Sequence, residues 1–249
     1  MVSVAFITCV NNPSVYEECL AHLHLLDKQG FQVEVVPVQS ATSIASAYNE
    51  AMHKSKAKYK IYLHQDTYIT EPMFLHYIHK VFSADPGIGM IGVLGGRTLP
   101  LDNKKKTWLW DCVEVFGNVF LPRINQALGG KLTDQPYEWV TVADGCLMAT
   151  QYDIPWRDDI IDGFHFYDNS QSLEFWKRDL KVMVPRQEVP WVSHLCFQKC
   201  DDEYFRLRDK FVAEYRQYLA TNVRSGRYTF AHNNKKYRFS LNITEGAPV

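Results

Sequence analysis

From Val2 to Thr8 the chain is rich in β-branched and aromatic residues, and the run stops at Asn11-Asn12-Pro13, a turn signal that also offers Ser14 as a helix N-cap. The run predicts a first strand. Between about Val15 and Lys28 the residues Tyr16, Leu20, Leu23 and Leu26 recur at helical spacing, and Gly30 stands where a C-terminal stop is expected. Phe31 to Val38 alternates and is dominated by valine, which predicts a second strand, and Ser40 to Ser43 offer caps for a helix carrying Tyr48 and Asn49. Tyr59 to Leu63 completes a strand, helix, strand, helix, strand order. Crossovers between parallel strands are right-handed, so this half is expected to form a nucleotide-binding sheet with its site at the C-terminal ends of the strands.

Further along, Pro72 to Phe82 reads as a helix between Glu71 and Asp85-Pro86-Gly87, and Ile88 to Leu94 as a buried strand leading to Gly95-Gly96. From Arg97 to Pro136 the pattern loosens around Lys104 to Lys106, Trp108, Trp110 and Gly129-Gly130, and the expectation is an insertion over the site, with a plain surface excursion as its rival. Glu138 to Met148 reads as one strand containing Asp144-Gly145-Cys146. Asp162 to Asp168 precedes a helix from about Ser170 to Arg178, and Lys181 to Pro185 is a short strand running on to Trp191-Val192-Ser193-His194. A last helix near Glu203 to Leu219 places Tyr204, Leu207, Phe211, Tyr215 and Tyr218 on one face, a packing stripe rather than a membrane anchor because Asp209 and Glu214 share its polar side. The tail after Tyr228 alternates weakly, as a terminal hairpin would.

The chemistry concentrates at Tyr59-Lys60-Ile61-Tyr62-Leu63-His64-Gln65-Asp66, an apolar strand that runs directly into polar, metal-competent residues. Delivering an imidazole and a carboxylate at a strand's C-terminal end is how open α/β sheets build ligand sites. A polar turn after a strand is the competing reading.

Composition narrows the classes. With 249 residues and 46% hydrophobic content, the chain can fill one large α/β core or two small ones. Lys plus Arg total 27 against 28 acidic residues, which removes the charge argument for a nucleic-acid partner. Cys9, Cys19, Cys112, Cys146, Cys196 and Cys200 are scattered without CxxC pairs and read as reduced packing residues. The N-terminus lacks a charged n-region and a cleavage site, so a cytoplasmic location is the expectation, and a peripheral membrane contact stays open.

In this order the pieces resemble a GT-A fold glycosyltransferase related to family 2, in its glycosyltransferase-like branch with His-Gln-Asp in place of Asp-x-Asp. The resemblance covers about residues 1 to 195. It rests on Asn49 before the apolar strand and His64-Gln65-Asp66, on Asp144-Gly145-Cys146-Leu147-Met148, on Tyr167-Asp168 opening a helix, and on the strand from Lys181 running to His194. It departs from the family where Tyr167-Asp168 replaces an acidic pair, where His64 replaces the first Asp, and where Gln39-Ser40-Ala41-Thr42 stands in place of the usual uracil-reading turn.

The resemblance implies a single GT-A-type domain over residues 1–200, with a mostly parallel central sheet, a nucleotide-binding half (1–96) and an acceptor half (97–200), followed by a C-terminal helix and tail (201–249). It implies a sugar-nucleotide diphosphate donor, a carbohydrate or lipid-linked acceptor and a divalent cation, with Mn²⁺ favoured over Mg²⁺ if an imidazole ligates it. Asp66 and His194 are the expected metal ligands. Thr8, Asn11, Asn49, His64, Gln65 and Asp66 are expected around the donor, and Asp144, Gly145, Asp162 and His165 around the sugar or acceptor. Asp168 is the expected base for inversion, with an N-cap as the rival reading and Asp162 and His165 as its substitutes. Two other functions are weighed: a nucleotidyltransferase, for which Val10-Asn11-Asn12-Pro13 lacks a Gly-rich phosphate loop, and a nucleotide-sugar-binding module without turnover.

Overall fold

The computed structural model describes residues 1–97, 99, 114–130, 134–195, 201–219, 227–232 and 235–240. Lys104 to Lys106, Trp108, Trp110, Cys112, Cys196 and Cys200 lie outside them. The described elements run β1 (Val2–Val10), α1 (Pro13–His24), β2 (Phe31–Gln39), α2 (Ile44–Lys54), β3 (Tyr59–Leu63), β4 (Thr67–Ile69), α3 (Phe74–Ala84), β5 (Ile88–Gly92) and β6 (Leu94–Gly96). They continue with β7 (Val115–Leu121), β8 (Gln126–Gly129), β9 (Tyr137–Trp139), β10 (Val142–Ala143), β11 (Leu147–Thr150), α4 (Tyr167–Trp176), β12 (Lys181–Pro185), β13 (Val192–His194) and α5 (Asp202–Tyr215). A terminal hairpin, β14 (Arg227–His232) with β15 (Lys235–Ser240), closes the order.

The main sheet has the order β2-β1-β3-β11-β5-β12-β9. Its first strands pair in parallel, as expected, but β11 runs antiparallel to both β3 and β5, so the sheet is mixed. Side chains alternate faces along a strand, and β1 shows the consequence: Ala5 and Ile7 join a core with α2, α4 and α5, while Val4 and Phe6 join another with α1 and α3. The result is a three-layer α/β/α body. The expected C-terminal helix is α5, and its stripe Tyr204, Leu207, Phe211 and Tyr215 is buried in the same core as α2 and α4.

Several boundaries differ from expectation. Helix α1 is capped by the side chain of Asn12, which accepts from Val15 N, with Pro13 opening the helix, so Ser14 lies inside it. It ends at His24 rather than near Lys28. The expected strand from Ile88 to Leu94 breaks at Val93, whose carbonyl accepts from Asn118 N and Gln187 Nε2, and the chain passes from the main sheet (β5) into a second one (β6). The expected strand 138–148 is three short pieces for the same reason, since β9 and β11 belong to the main sheet and β10 to the second.

Part of the expected insertion is a hairpin, β7 with β8, inside the second sheet, whose order is β10-β6-β7-β13-β4. Gly117 in β7 has φ +89°, and a Cβ there would lie 2.1 Å from the carbonyl oxygen of Val93, so the strand can pass this crossing only with glycine. Helix α4 begins at Tyr167, earlier than the start near Ser170 read from the pattern and where the resemblance has Tyr167-Asp168 open a helix, after Phe166 in the left-handed region at φ 62°. Every residue of α4 is buried, which is why it shows no amphipathic period.

Candidate active site

The chain end of β3 is fixed from both sides. His64 N donates to Cys146 O at 3.1 Å, and Thr67 N closes a turn onto His64 O at 3.1 Å. The turn then enters β4, which pairs antiparallel with β13 so that His194 lies opposite Thr67. Leu195 N donates to Asp66 O at 3.0 Å and completes the ladder. Backbone pairing of residues distant in sequence thereby brings His64, Asp66 and His194 together, with their ligand atoms all within 4.8 Å of one another.

Within this group His64 Nδ1 faces His194 Nε2 at 3.3 Å, and His194 Nε2 lies 3.3 Å from Asp66 Oδ1. Burial, and after it the neighbouring His194, push His64 down to about 4, so its imidazole is neutral near pH 7. Burial alone would raise Asp66, but the hydrogen bond and charge of His194, with His64 contributing less, hold its carboxyl below the usual range. Because His64 is neutral there, His194 is the partner that matters. One carboxylate oxygen and two converging imidazole nitrogens suit a divalent cation of borderline hardness, and the donor set fits Mn²⁺ better than Mg²⁺.

Beside this group lies the Asp144-Gly145-Cys146 turn, where Asp144 Oδ1 accepts from Cys146 N at 2.8 Å. Asp168, only 2% exposed, accepts from Gly145 N at 3.0 Å and from Asn169 N at 2.8 Å. It therefore sits in the first turn of α4 and ties that helix to the turn, while Phe166 holds the cap position that the rival reading gave to Asp168. Burial, with Asp144 as the second cause, pushes its carboxyl up to about 8 against the pull of those two N–H groups. Gly145 allows the close approach: a Cβ on it would lie 2.1 Å from the Tyr167 hydroxyl.

Tyr167 is the residue that sequence reasoning passed over. Its hydroxyl hydrogen-bonds His64 Nε2 and donates to Gly145 O at 3.2 Å. The sequence registered it only as a departure from an acidic pair, and its contact with His64 depends on a fold-level approach of α4 to β3.

The other expected site residues have surroundings of their own. Gln65 Oε1 accepts from Asn11 N at 3.0 Å and Asn12 N at 2.9 Å, and its amide donates to Asn11 Oδ1, so Gln65 and Asn11 clamp the loop after β1 to the end of β3. Asn49 donates to Trp156 O at 2.9 Å and accepts from Trp156 N at 2.8 Å, which commits both ends of its amide to one peptide segment. Asp162 pairs with Arg206 at 2.7 Å and Lys210 at 2.9 Å on α5. His165 packs its ring on Tyr204 and groups with Asp201 and Glu203, apart from the His64 cluster. Thr8 is fully buried in β1, and its hydroxyl makes no hydrogen bond among the described residues.

Among the described residues no helix is long and apolar enough to cross a membrane. Curated proteins yield no match to the chain. Solved structures do. A mannosyltransferase from Pyrobaculum calidifontis in complex with GDP-Man and Mn²⁺ aligns with a TM-score of 0.53 at 13% identity, over 86% of this chain and 64% of that one. GalNAc-T7 with UDP, GalNAc and Mn²⁺ aligns with a TM-score of 0.56 at 11% identity, over 88% and 50%. Residues 1–349 of S. aureus TarS with UDP-GlcNAc align with a TM-score of 0.51 at 10% identity, over 88% and 71%. The chain thus spans about two thirds and one half of the first two proteins, and at these identities the likeness is one of GT-A fold. The family model described as "Glycosyltransferase like family" matches residues 5–215. That span runs from within β1 to the end of α5 and holds His64, Asp66, Asp144, Tyr167, Asp168 and His194, and the chain belongs to this glycosyltransferase-like family.

Proposed function

We propose that the protein is a metal-dependent glycosyltransferase that moves a sugar from a nucleotide diphosphate donor to a hydroxyl of a carbohydrate or lipid-linked acceptor, with inversion, in polysaccharide or glycoconjugate synthesis. The observation that carries this reading is the convergence of His64, Asp66 and His194 at the end of β3. Solved relatives of the same fold hold GDP-Man or UDP together with Mn²⁺, which supports the same donor class here. A divalent cation bound there would supply Lewis-acid stabilisation to the departing diphosphate. Asp66 and His194 hold the cation with His64, while the first half of the chain (1–96) receives the nucleotide and the second (97–200) the acceptor.

Inversion needs a base that takes the acceptor's proton. Asp168 fills this role: a carboxyl pushed up to about 8 is a far stronger base than an ordinary one, and its direction is fixed by Gly145 N and Asn169 N. Asp144 is the competing assignment because it is the more exposed of the two carboxylates that flank Gly145. It otherwise meets the sugar hydroxyls.

The nucleotidyltransferase reading loses ground at the loop after β1. Its Asn11 and Asn12 amides point to Gln65 Oε1, so they are not presented to a phosphate. Incubating the protein with a panel of nucleotide sugars and Mn²⁺, and measuring release of nucleoside diphosphate, tests the proposal. Slow metal-dependent hydrolysis of one donor is expected. Nucleotide binding without turnover of any donor, with or without acceptors, would instead establish a binding module.

A further inference from the structure

We propose that Tyr167 is a positioning residue for the cation site, acting through His64: its hydroxyl oxygen accepts a hydrogen bond from the Nε2–H of His64 and so leaves the Nδ1 lone pair facing His194 and Asp66. This inference rests on the metal-dependent reading above and adds to it a residue that touches neither cation nor substrate.

The geometry decides between the two tautomers of His64. A tyrosine hydroxyl has one proton to give, and Tyr167 stands between two partners, the carbonyl of Gly145 at 3.2 Å and Nε2 of His64. If Nε2 carries the proton, it donates to the Tyr167 oxygen, and Tyr167 in turn donates to Gly145. His64 Nδ1 is then an acceptor for His194 Nε2 at 3.3 Å, and His194 can share the same N–H with Asp66 Oδ1 at 3.3 Å. Each of these four contacts then joins a donor to an acceptor.

The other tautomer fails at both ends. With the proton on Nδ1, Tyr167 must donate to His64 and leave Gly145 O, and His194 must accept at Nε2. Its lone pair would then face the Asp66 carboxylate at 3.3 Å, acceptor against acceptor. Histidine ligands generally give their second N–H to a fixed acceptor, which sets both tautomer and ring direction. Tyr167 meets that description, with a phenol in the place of the more usual carboxylate or carbonyl.

The hydroxyl is also held still. Tyr167 is 4% exposed, its ring lies 6.0 Å from that of Tyr48 and 6.1 Å from that of Trp156, and the absence of a Cβ at Gly145 leaves its oxygen room. Placement by packing is what gives a single hydrogen bond directional value.

Two measurements on the full chain test the inference. Long-range ¹⁵N–¹H correlation spectra of the histidine rings should show wild-type His64 protonated at Nε2. In Tyr167→Phe the preference should relax, and the Mn²⁺ dissociation constant, followed by the electron paramagnetic resonance of free Mn²⁺, should rise about 10- to 100-fold with the melting curve little changed. A wild-type His64 protonated at Nδ1 overturns the inference whether or not the variant folds. So does a folded Tyr167→Phe variant that binds Mn²⁺ as well as wild type. A wild type that fails to bind Mn²⁺ overturns the cation site itself, an outcome distinct from both.

Discussion

His194 Nε2 lies 3.3 Å from Asp66 Oδ1 because β13 and β4 pair antiparallel, with Leu195 N on Asp66 O at 3.0 Å. The contact is therefore a product of sheet register, and a slip of one residue would send His194 to the opposite face. In the proposed function this pair holds the cation, and its placement by sheet register means that the two side chains are already side by side without a ligand.

Asp66→Ala and His194→Ala are expected to abolish the Mn²⁺-dependent part of nucleotide binding. A ligand at about a hundred times its Kd stabilises by about 2.7 kcal/mol, or roughly 5 to 10 °C in Tm for a chain of this size. Thermal shifts with GDP or UDP, with and without Mn²⁺, read this directly. A metal-dependent shift that survives in both variants removes the pair from the site.

Asn49→Ala should destabilise the protein without weakening the donor. The substitution leaves the N–H and C=O of Trp156, a residue 2% exposed, without the partner that now satisfies both. A buried polar group left unpaired costs about 1 to 3 kcal/mol, which lowers Tm by about 2 to 4 °C per kcal/mol. Unchanged stability with lost nucleotide affinity would return Asn49 to the donor site.

The contrast between Asn49 and His64 shows where sequence reading stops. Strands β1 and β3 are legible as short apolar runs, because both of their faces are buried, β2 by its alternation and α1 by apolar residues at helical spacing, and His64 and Asp66 stand out because they follow such a run. Asn49, Gln65 and Asp162 are polar residues of the same kind, and each turns to a protein partner far away in sequence. Residue type alone does not distinguish a side chain that faces a ligand from one that braces a loop. The pieces β9, β10 and β11 were unreadable for another reason. They are three, two and four residues long and alternate between sheets, too short for any period to register.

Asp162→Asn should leave activity intact. Hydrogen bonds from Arg206 first and Lys210 second hold this carboxyl down to about 2, but its side chain is 51% exposed, and exposed pairs of this kind contribute up to about 1 kcal/mol. The contribution is present above the ordinary carboxylate value of 3.8 and disappears as pH falls toward about 2. Comparison of wild type and variant in acid melts should show their difference vanish at the low end. A large loss of transfer activity at neutral pH would place Asp162 in the acceptor site after all.

Asp168→Asn should lower turnover by about 10²- to 10⁴-fold, the usual worth of a positioned base. A base must be deprotonated to act, so wild-type turnover should climb with pH toward about 8, where the Asp168 carboxyl titrates. Stability should run the other way. Its folded-state value lies above the ordinary 3.8, so between those limits the native protein keeps a proton that the unfolded chain releases. That contribution is complete below about pH 4 and is lost as pH rises through about 8, and the Asn variant, which cannot titrate, should show a flatter stability profile across the window. Denaturant midpoints and initial rates measured over the same pH series test both halves. Near-normal turnover in Asp168→Asn, with loss in Asp144→Asn, would transfer the base to Asp144 and leave Asp168 as the brace between α4 and the Gly145 turn.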